Sequence, residues 1–246
     1  MKQGVFLIIA LMLFSLQGSI AQNEGTQSYE KGDYSTAINI WEAATKDGQG
    51  SYNLFINLGN AYSQSGNLAK ARLQFERALK IEPNGKEALN NIQYILSQME
   101  DEVIPVEPFF LYKWWQSIAL SFSTGTWLVI NLLLLLMTIG IAYEFLLGNT
   151  IKQRSKILPT GGVILSLTIV TFLLGLSRKH HLQRMDTAVI LEKTPLKLGA
   201  DEISESVSNL QAGYKVILLD QIGDWYKVSK LDKEQGWIQK KSFEII

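Results

Sequence analysis

The chain has 246 residues, enough for one or two small domains, and its lack of cysteine excludes disulfides, thiolate metal sites and a cysteine nucleophile. Its 23 basic and 23 acidic side chains cancel, but residues 22–107 carry seven basic and twelve acidic side chains, residues 108–185 seven and one, and residues 186–246 eight and ten. A basic, apolar middle between acidic ends is typical of a membrane protein and argues against a nucleic-acid binder.

Residues 1–21 have the pattern of a secretory signal peptide. Lys2 precedes an apolar run from Val5 to Leu16, and residues 19–21 place small side chains at the −3 and −1 positions of a cleavage site. The run is shorter than the roughly 20 residues that a membrane-spanning helix needs. We expect Gln22 to begin the mature chain, and an uncleaved anchor is the alternative.

Small and aromatic residues recur with a period of 34 residues in the next part of the chain. The pairs in register are Gly25 and Gly59, Gly32 and Gly66, Ala37 and Ala71, Trp41 and Phe75, and Ala44 and Ala78. A fixed period of this size indicates a solenoid. Glycine and alanine on the packed faces predict helices that approach each other closely, with aromatic side chains filling the neighbouring space.

The repeat from Tyr52 to Gly85 resembles the tetratricopeptide repeat (TPR) family. The residues that fit the family pattern are Phe55, Leu58, Gly59, Tyr62, Ala71, Phe75, Ala78 and Pro83. Because Pro83 lacks an N–H group and clashes with the preceding turn, it ends the second helix. The resemblance implies about two repeats over residues 22–100, closed by a capping helix with an apolar stripe of Ala88, Leu89, Ile92, Ile95 and Leu96.

The TPR resemblance also implies a concave groove that binds an extended peptide. Asn57, Asn60 and Asn91 match positions that commonly face this groove, where an amide can hydrogen-bond a peptide backbone. The alternative is that asparagine is common at these repeat positions whatever the ligand. The inner helices lack the basic residues that would bind a C-terminal carboxylate, which disfavours a binder of chaperone tails.

Two long apolar runs in the middle of the chain predict a membrane hairpin. Residues 127–147 and 157–177 are each long enough to cross a bilayer, and residues 148–156 form a short loop between them. Residues 101–126 combine a proline-containing linker with an aromatic cluster from Phe109 to Trp115, which predicts an interfacial segment. The short loop forces the two helices to run antiparallel, so both soluble ends lie on the same side.

Basic residues and the predicted signal peptide set the orientation of this hairpin. Lys152, Arg154 and Lys156 place the loop in the cytoplasm, although three basic residues also follow the second span. The predicted signal peptide decides the orientation, because export of residues 22–107 followed by two spans returns the C-terminus to the exported side. We therefore expect both soluble domains outside the cytoplasmic membrane, in the periplasm where an outer membrane exists. Glu144, the one acid in the spans, is either a functional group or the ion-pair partner of Lys152 or Arg154.

Thr171 and Gly175 in the second span have the spacing of a small-residue packing motif. The alternative is that both residues face lipid.

Alternating apolar residues predict a small β barrel over residues 186–246, with five short strands and breaks at Thr194-Pro195 and at residues 204–209. The segment contains Gly213 before an aliphatic run, the run from Gly223 to Val228, and Gly236-Trp237-Ile238. With these residues it resembles the bacterial SH3-like family. Trp225 and Trp237 either form a ligand groove for peptide or cell-wall glycan, or they pack the core or cap the barrel mouth.

The sequence predicts no enzyme, cofactor or metal site. His180 and His181 are adjacent and have no third ligand at a suitable spacing, so they are assigned to the basic flank of the second span. No glycine-rich phosphate loop or nucleophile elbow is present.

The predicted fold is therefore a multidomain membrane protein with an α-helical TPR solenoid, a two-helix transmembrane hairpin and an all-β SH3-like barrel. This order of modules resembles the BatE family, encoded in aerotolerance (Bat) operons. The resemblance implies membrane-protein partners with von Willebrand factor A domains, and a role in stress tolerance or envelope integrity. The predicted function is a membrane-anchored interaction scaffold, and the alternative is an envelope sensor or peptidoglycan-binding module that acts through the barrel.

Overall fold

The chain folds into two units, one of which joins segments that are distant in sequence. In the computed structural model this unit combines Met1–Val106 with Met185–Ile246, and Glu107–Arg184 form the other unit. The described residues are 23–45, 50–99, 109–147, 151–183, 186–231 and 233–246. The predicted signal peptide and the proline-containing linker lie outside them.

Short helices form the first part of the discontinuous unit. They cover residues 23–30 (α1), Tyr34–Ala44 (α2), Tyr52–Gln64 (α3), Leu68–Ile81 (α4) and Lys86–Ser97 (α5). Asp33, Ser51 and Asn67 are the N-caps of α2, α3 and α4, and each side chain accepts a hydrogen bond from the backbone N–H three residues later. These caps satisfy donors that the first helical turn leaves unpaired.

The 34-residue period corresponds to repeated turns and close helix contacts. Gly32 and Gly66 have φ values of 80° and 83°, in the left-handed region that favours glycine, and each lies in a turn between two helices. Phe75 of α4 packs on Gly59 of α3 so closely that a Cβ atom there would lie 2.5 Å from the ring. Trp41 of α2 makes the equivalent contact with α1 one period earlier.

The apolar stripe of α5 is narrower than the sequence predicted. Ala88, Ile92 and Ile95 are buried, but Leu89 and Leu96 are 45% and 40% exposed. Because α5 is the last described helix of the repeat series, it is packed on one side, and the two leucines flank the packed line.

The second part of the unit is an antiparallel sheet. Its described strands are Thr187–Ile190 (β1), Thr194–Lys197 (β2), Ser206–Leu210 (β3), Lys215–Ile222 (β4), Trp225–Ser229 (β5), Gln235–Gln239 (β6) and Phe243–Ile245 (β7). The strand order is β3-β2-β6-β5-β4-β1-β7, and a 3₁₀ turn at Lys240–Ser242 precedes β7. We refer to residues 186–246 as the β domain.

Strands β2 and β3 occupy segments that the sequence analysis interpreted as breaks, and that interpretation was wrong. Proline and a polar stretch obscured the alternation, but Leu196 and Leu210 are completely buried and hold both strands on the core. Pro195 stands opposite Asn209 of the edge strand β3, and β2 pairs with β6 through Lys197 and Trp237, so the missing N–H of proline falls near the edge of the sheet. The polar residues of β3 lie on an edge strand.

The other unit consists of Phe110–Ser121 (α6), Thr124–Leu147 (α7) and Ile151–Gln183 (α8). Two of its helical stretches, Thr124–Leu147 and Ile157–Gln183, are long and apolar enough to cross a membrane. Helix α8 begins inside the segment assigned to the loop and contains Pro159. Glu144 is exposed, and the side chains of its two expected partners lie outside the described residues.

Polar and small residues join α7 to α8. Asn131 Nδ2 donates to the backbone oxygen of Thr168 at 2.9 Å and to Thr171 Oγ1 at 3.1 Å. A Cβ atom at Gly175 would lie 3.3 Å from the Cβ atom of Trp127. Thr171 and Gly175 therefore lie against α7, which favours the packing interpretation of this pair.

Candidate interaction surfaces

The three asparagines predicted to face the groove lie on α3 and α5. Asn57 and Asn60 are one turn apart on α3, so they share a face, and all three side chains are half-buried. Asn91 Nδ2 donates to Asn60 Oδ1 at 2.9 Å, and Asn60 Nδ2 lies 3.5 Å from Glu87 Oε1. A peptide bound here would meet amides that already orient one another.

A polar cluster joins α2, α3 and α4. Tyr62 Oη donates to Glu42, and Lys70 Nζ donates to Tyr62 Oη at 3.3 Å. Lys70 Nζ also lies 5.1 Å from the centre of the Tyr62 ring. Burial, followed by the hydrogen bond to Glu42, raises the pKa of Tyr62 far above its ordinary value. Tyr62 therefore stays protonated and ties the two repeats together.

Helix α4 also packs against the β domain, through a surface that we call the α4–β contact. Leu73 is 1% exposed and clusters with Val189 of β1 and Ile246. Met99 packs against the cores of both the helical repeats and the β domain. Its sulfur would lie 3.6 Å from a Cβ atom at Gly213, whose φ of 90° favours glycine. The two modules therefore share an apolar contact.

A buried ion cluster crosses the α4–β contact. Arg72 Nη1 donates to the backbone oxygen of Gly213 at 2.7 Å, and its Nε lies 3.7 Å from Glu76 Oε1. The other oxygen of Glu76 lies 2.6 Å from Lys215 Nζ. Burial lowers the pKa of Arg72, and the Glu76 carboxylate opposes this shift. Glu76 thus compensates two cations, one from each module.

The end of α4 binds the last strand of the β domain. Arg77 Nη2 donates to Glu244 Oε1 at 2.7 Å and to the backbone oxygen of Ile245 at 3.1 Å. Lys80 Nζ donates to a main-chain oxygen of Ile246 at 2.7 Å, and burial lowers its pKa. Together with residues 69, 72, 73 and 76, these residues recur every three or four positions and form one face of the helix.

The α4–β contact was missed from the sequence. Arginine, glutamate and lysine at helical spacing are ordinary on a solvated face. Only the position of the β domain, set by residues more than a hundred positions away, makes this face an interface.

Trp225 and Trp237 lie on the outer face of the β domain. Their strand neighbours Val228 and Ile238 point to the opposite face and are completely buried, whereas both tryptophans are half-buried. The two indoles are therefore part of the outer surface and not of the core.

Lysine and glutamine side chains surround the two indoles. Trp225 stands opposite Gln239, and Trp237 stands opposite Lys227, which makes the tryptophans diagonal neighbours. Lys197 Nζ lies 5.8 Å from the centre of the Trp225 ring, within the range of a cation–π contact. We call Trp225, Trp237 and the surrounding lysine and glutamine side chains the tryptophan patch. Its indole rings can stack on a ligand while the neighbouring lysines donate hydrogen bonds.

Within the described ranges, no three histidine, aspartate or glutamate side chains come together as a metal site. His180 and His181 lie in the last turn of α8 and line a groove with Tyr112 of α6.

Comparison with curated proteins finds no match to this chain. The tetratricopeptide repeat family model matches residues 52–84, which contain α3 and α4. The chain therefore contains a TPR, a unit that generally mediates protein–protein interactions.

Proposed function

We propose that this protein is a non-enzymatic scaffold that is anchored in the cytoplasmic membrane by α7 and α8. It presents a TPR groove and an SH3-like β domain on the exported side of that membrane. The observation that carries the proposal is the α4–β contact. Residues before and after the two apolar helices pack together, so the chain must return to the side from which it left. A hairpin of two spans meets this requirement.

Exposed apolar side chains support insertion of α7. Leu128, Leu132 and Leu136 are each more than half exposed on α7. A row of such residues is costly in water and favourable in a bilayer. The predicted signal peptide and the basic loop favour export of both soluble modules.

The order of modules supports membership of a Bat-type complex linked to stress tolerance. Its expected partners are membrane proteins with von Willebrand factor A domains. Two weak contacts, one in the TPR groove and one on the β domain, would reinforce each other because binding at one raises the local concentration at the other.

Single cysteines can test the shared side, because the chain has none of its own. We expect Asn90→Cys in α5 and Lys240→Cys in the β domain, both exposed, to react with a membrane-impermeant maleimide in spheroplasts. Asn149→Cys in the loop should react only after permeabilisation. Labelling of Asn90→Cys and Lys240→Cys from opposite sides would overturn the proposal.

Crosslinking in native membranes tests the groove. Asn60→Ala and Asn91→Ala should reduce the yield of crosslinked membrane proteins. Asn53 and Asn90 are exposed on the same two helices, so Asn53→Ala and Asn90→Ala are matched controls that should keep the full yield. Equal yields from all four variants would remove the groove from the proposal.

The tryptophan patch favours a second candidate function, binding of peptidoglycan by the β domain. Trp225→Ala should abolish co-sedimentation with purified sacculi while the thermal unfolding profile is retained. Leu219→Ala, at an exposed position of β4, should have no effect. Wild-type protein that stays in the supernatant would rule this candidate out.

A further inference from the structure

The polar atoms of the TPR groove, the surface of α3 and α5 that carries the three asparagines, favour a ligand that donates hydrogen bonds. Asn91 Nδ2 donates to Asn60 Oδ1 at 2.9 Å, and Asn60 Nδ2 lies 3.5 Å from Glu87 Oε1. These contacts use N–H groups of both amides. They leave the second carboxylate oxygen of Glu87 and Oδ1 of Asn91 without a hydrogen bond from any described residue. Such oxygens accept hydrogen bonds and cannot donate them.

The groove also carries negative charge. The inner helices α1, α3 and α5 contain three acidic residues, Glu24, Glu30 and Glu87, and one basic residue, Lys86. Lys86 and Glu87 are adjacent on α5, so their side chains do not face each other. Within the part of the chain that the structure describes, Glu87 forms no ion pair with a lysine or an arginine. The carboxylate in the groove is therefore open to a cation from another molecule.

An exposed aromatic ring continues the face that carries Glu87 and Asn91. Tyr94 follows Asn91 by three residues and is 57% exposed. At spacings of four and three residues, the three side chains form one row along α5. The row spans about 10 Å at 1.5 Å per residue, which is the length of about three residues of an extended peptide. An ammonium or guanidinium group can bind a carboxylate and also contact the face of a tyrosine ring.

The packing of α5 holds this row in place. Ala88, Ile92 and Ile95 are buried in the core of the helical repeats, and the N–H of Ala88 donates to Tyr52 Oη at 3.4 Å. The opposite face of the helix is thereby fixed to α3 and α4. A surface that is already ordered loses less conformational entropy when a partner binds.

We propose that the TPR groove binds an extended segment of a partner protein through a lysine or arginine side chain of that segment. The cationic group donates to the carboxylate of Glu87 and to Asn91 Oδ1, and it contacts the ring of Tyr94. The amide of Asn57 remains available to the backbone of the same segment. The inference rests on the proposed scaffold function and gives the chemistry of its partner.

Binding of the full chain to immobilised octapeptide pools tests this inference. Each pool is N-acetylated, has one fixed central residue and carries random uncharged residues elsewhere, so only the fixed side chain can supply a charge. In an uncharged detergent, we expect the pools with fixed lysine or arginine to retain about three times as much protein as the pool with fixed glutamine, as for one exposed ion pair. Glu87→Gln should bring this ratio close to one while the circular dichroism spectrum is unchanged. In the wild type, 1 M salt should also reduce the ratio, because it screens exposed charges.

A matched variant separates the groove from general attraction to charge. Glu205→Gln removes an exposed acid from the β domain and should keep the preference for the cationic pools. An equal loss of preference in Glu205→Gln, or a preference of the wild type for a pool with fixed glutamate, would overturn the inference. A dimer of the full chain that dissociates on Glu87→Gln would assign the groove to a second copy and would also overturn it.

Two further outcomes distinguish failure of this inference from failure of the proposed function. Equal binding of the lysine and glutamine pools that is lost in Asn60→Ala would overturn the inference but would leave the groove as a peptide site. If no pool retained the wild type, both the cation site and the peptide groove of the proposed scaffold would be ruled out.

Discussion

Helices α4 and α7 break the usual rule of side-chain burial in opposite ways. Helix α4 buries charged groups, with Arg72 at 5% and Glu76 at 7% exposure, whereas α7 exposes Leu132 and Leu136, each at 57%. In α4 the missing partners are supplied by the β domain of the same chain. In α7 no described residue packs over these leucines, and we propose that they contact the lipid of the bilayer. An unusual face on a helix thus identifies a contact, and its chemistry indicates the kind of partner.

Loss of the central carboxylate of α4 is expected to have the largest effect. Glu76→Gln keeps the shape of the side chain but leaves Arg72 and Lys215 without compensation, which should lower the free energy of unfolding by about 3–5 kcal/mol. Chemical denaturation of the full chain in detergent, followed by tryptophan fluorescence, measures the change. Glu82→Gln, at the exposed end of the same helix, should stay within about 0.5 kcal/mol. A similar result for both variants would show that the α4–β contact does not form.

A charged residue in the middle of α7 tests whether this helix is inserted in the membrane. Leu136→Arg should disfavour insertion by about 3 kcal/mol, because arginine is costly at the centre of a membrane span. The measurement is the fraction of protein that resists alkaline extraction from membranes, and Leu136→Phe is the apolar control. If α7 were exposed to water, the same arginine would change stability by less than about 0.5 kcal/mol and leave the extracted fraction unchanged.

Adding one methyl group separates a packed helix face from an open one. Gly59→Ala forces a Cβ atom against Phe75 of α4 and should cost about 1–3 kcal/mol through overpacking. At Gly140 of α7 the added Cβ would meet no other side chain or helix of the described residues within 4 Å, so Gly140→Ala should be neutral or slightly stabilising. Thermal unfolding monitored by circular dichroism compares the two. A cost at Gly140 would indicate that another surface packs on α7.

Local repetition made much of the fold predictable. The helical repeat region, the two long apolar helices and an antiparallel C-terminal sheet are confirmed, because glycine spacing, apolar length and alternation are properties of neighbouring residues. The period predicted that Gly59 leaves room between close helices and that Phe75 fills neighbouring space, and the structure shows that these two residues pack on each other. Gly32 and Gly66 were identified as a pair in the same register, and the structure places both in turns with positive φ.

Features that depend on distant residues escaped prediction. Strands β2 and β3 carry Pro195 and a polar stretch, so only their pairing in the sheet identifies them as strands. The ion cluster of Arg72, Glu76 and Lys215 has the appearance of solvated charge until the β domain is placed on α4. The sequence indicated asparagines in the groove, but the hydrogen bond between Asn60 and Asn91 depends on how α3 and α5 pack.

The smallest expected effect compares a polar contact within the proposed membrane span with the ion cluster of α4. Asn131→Leu removes the hydrogen bonds to Thr168 and Thr171 but leaves no buried charge behind. It should destabilise the pairing of α7 and α8 by about 0.6 kcal/mol, the average for such bonds in membranes, because an unpaired helix finds other partners there. Ser166→Ala, whose hydroxyl bonds its own helix, is the control. Reversible unfolding of the full chain in mixed micelles measures both variants. A loss at Asn131 as large as that at Glu76 would mean that α7 and α8 form a contact in water, and the contrast between the two helices would then disappear.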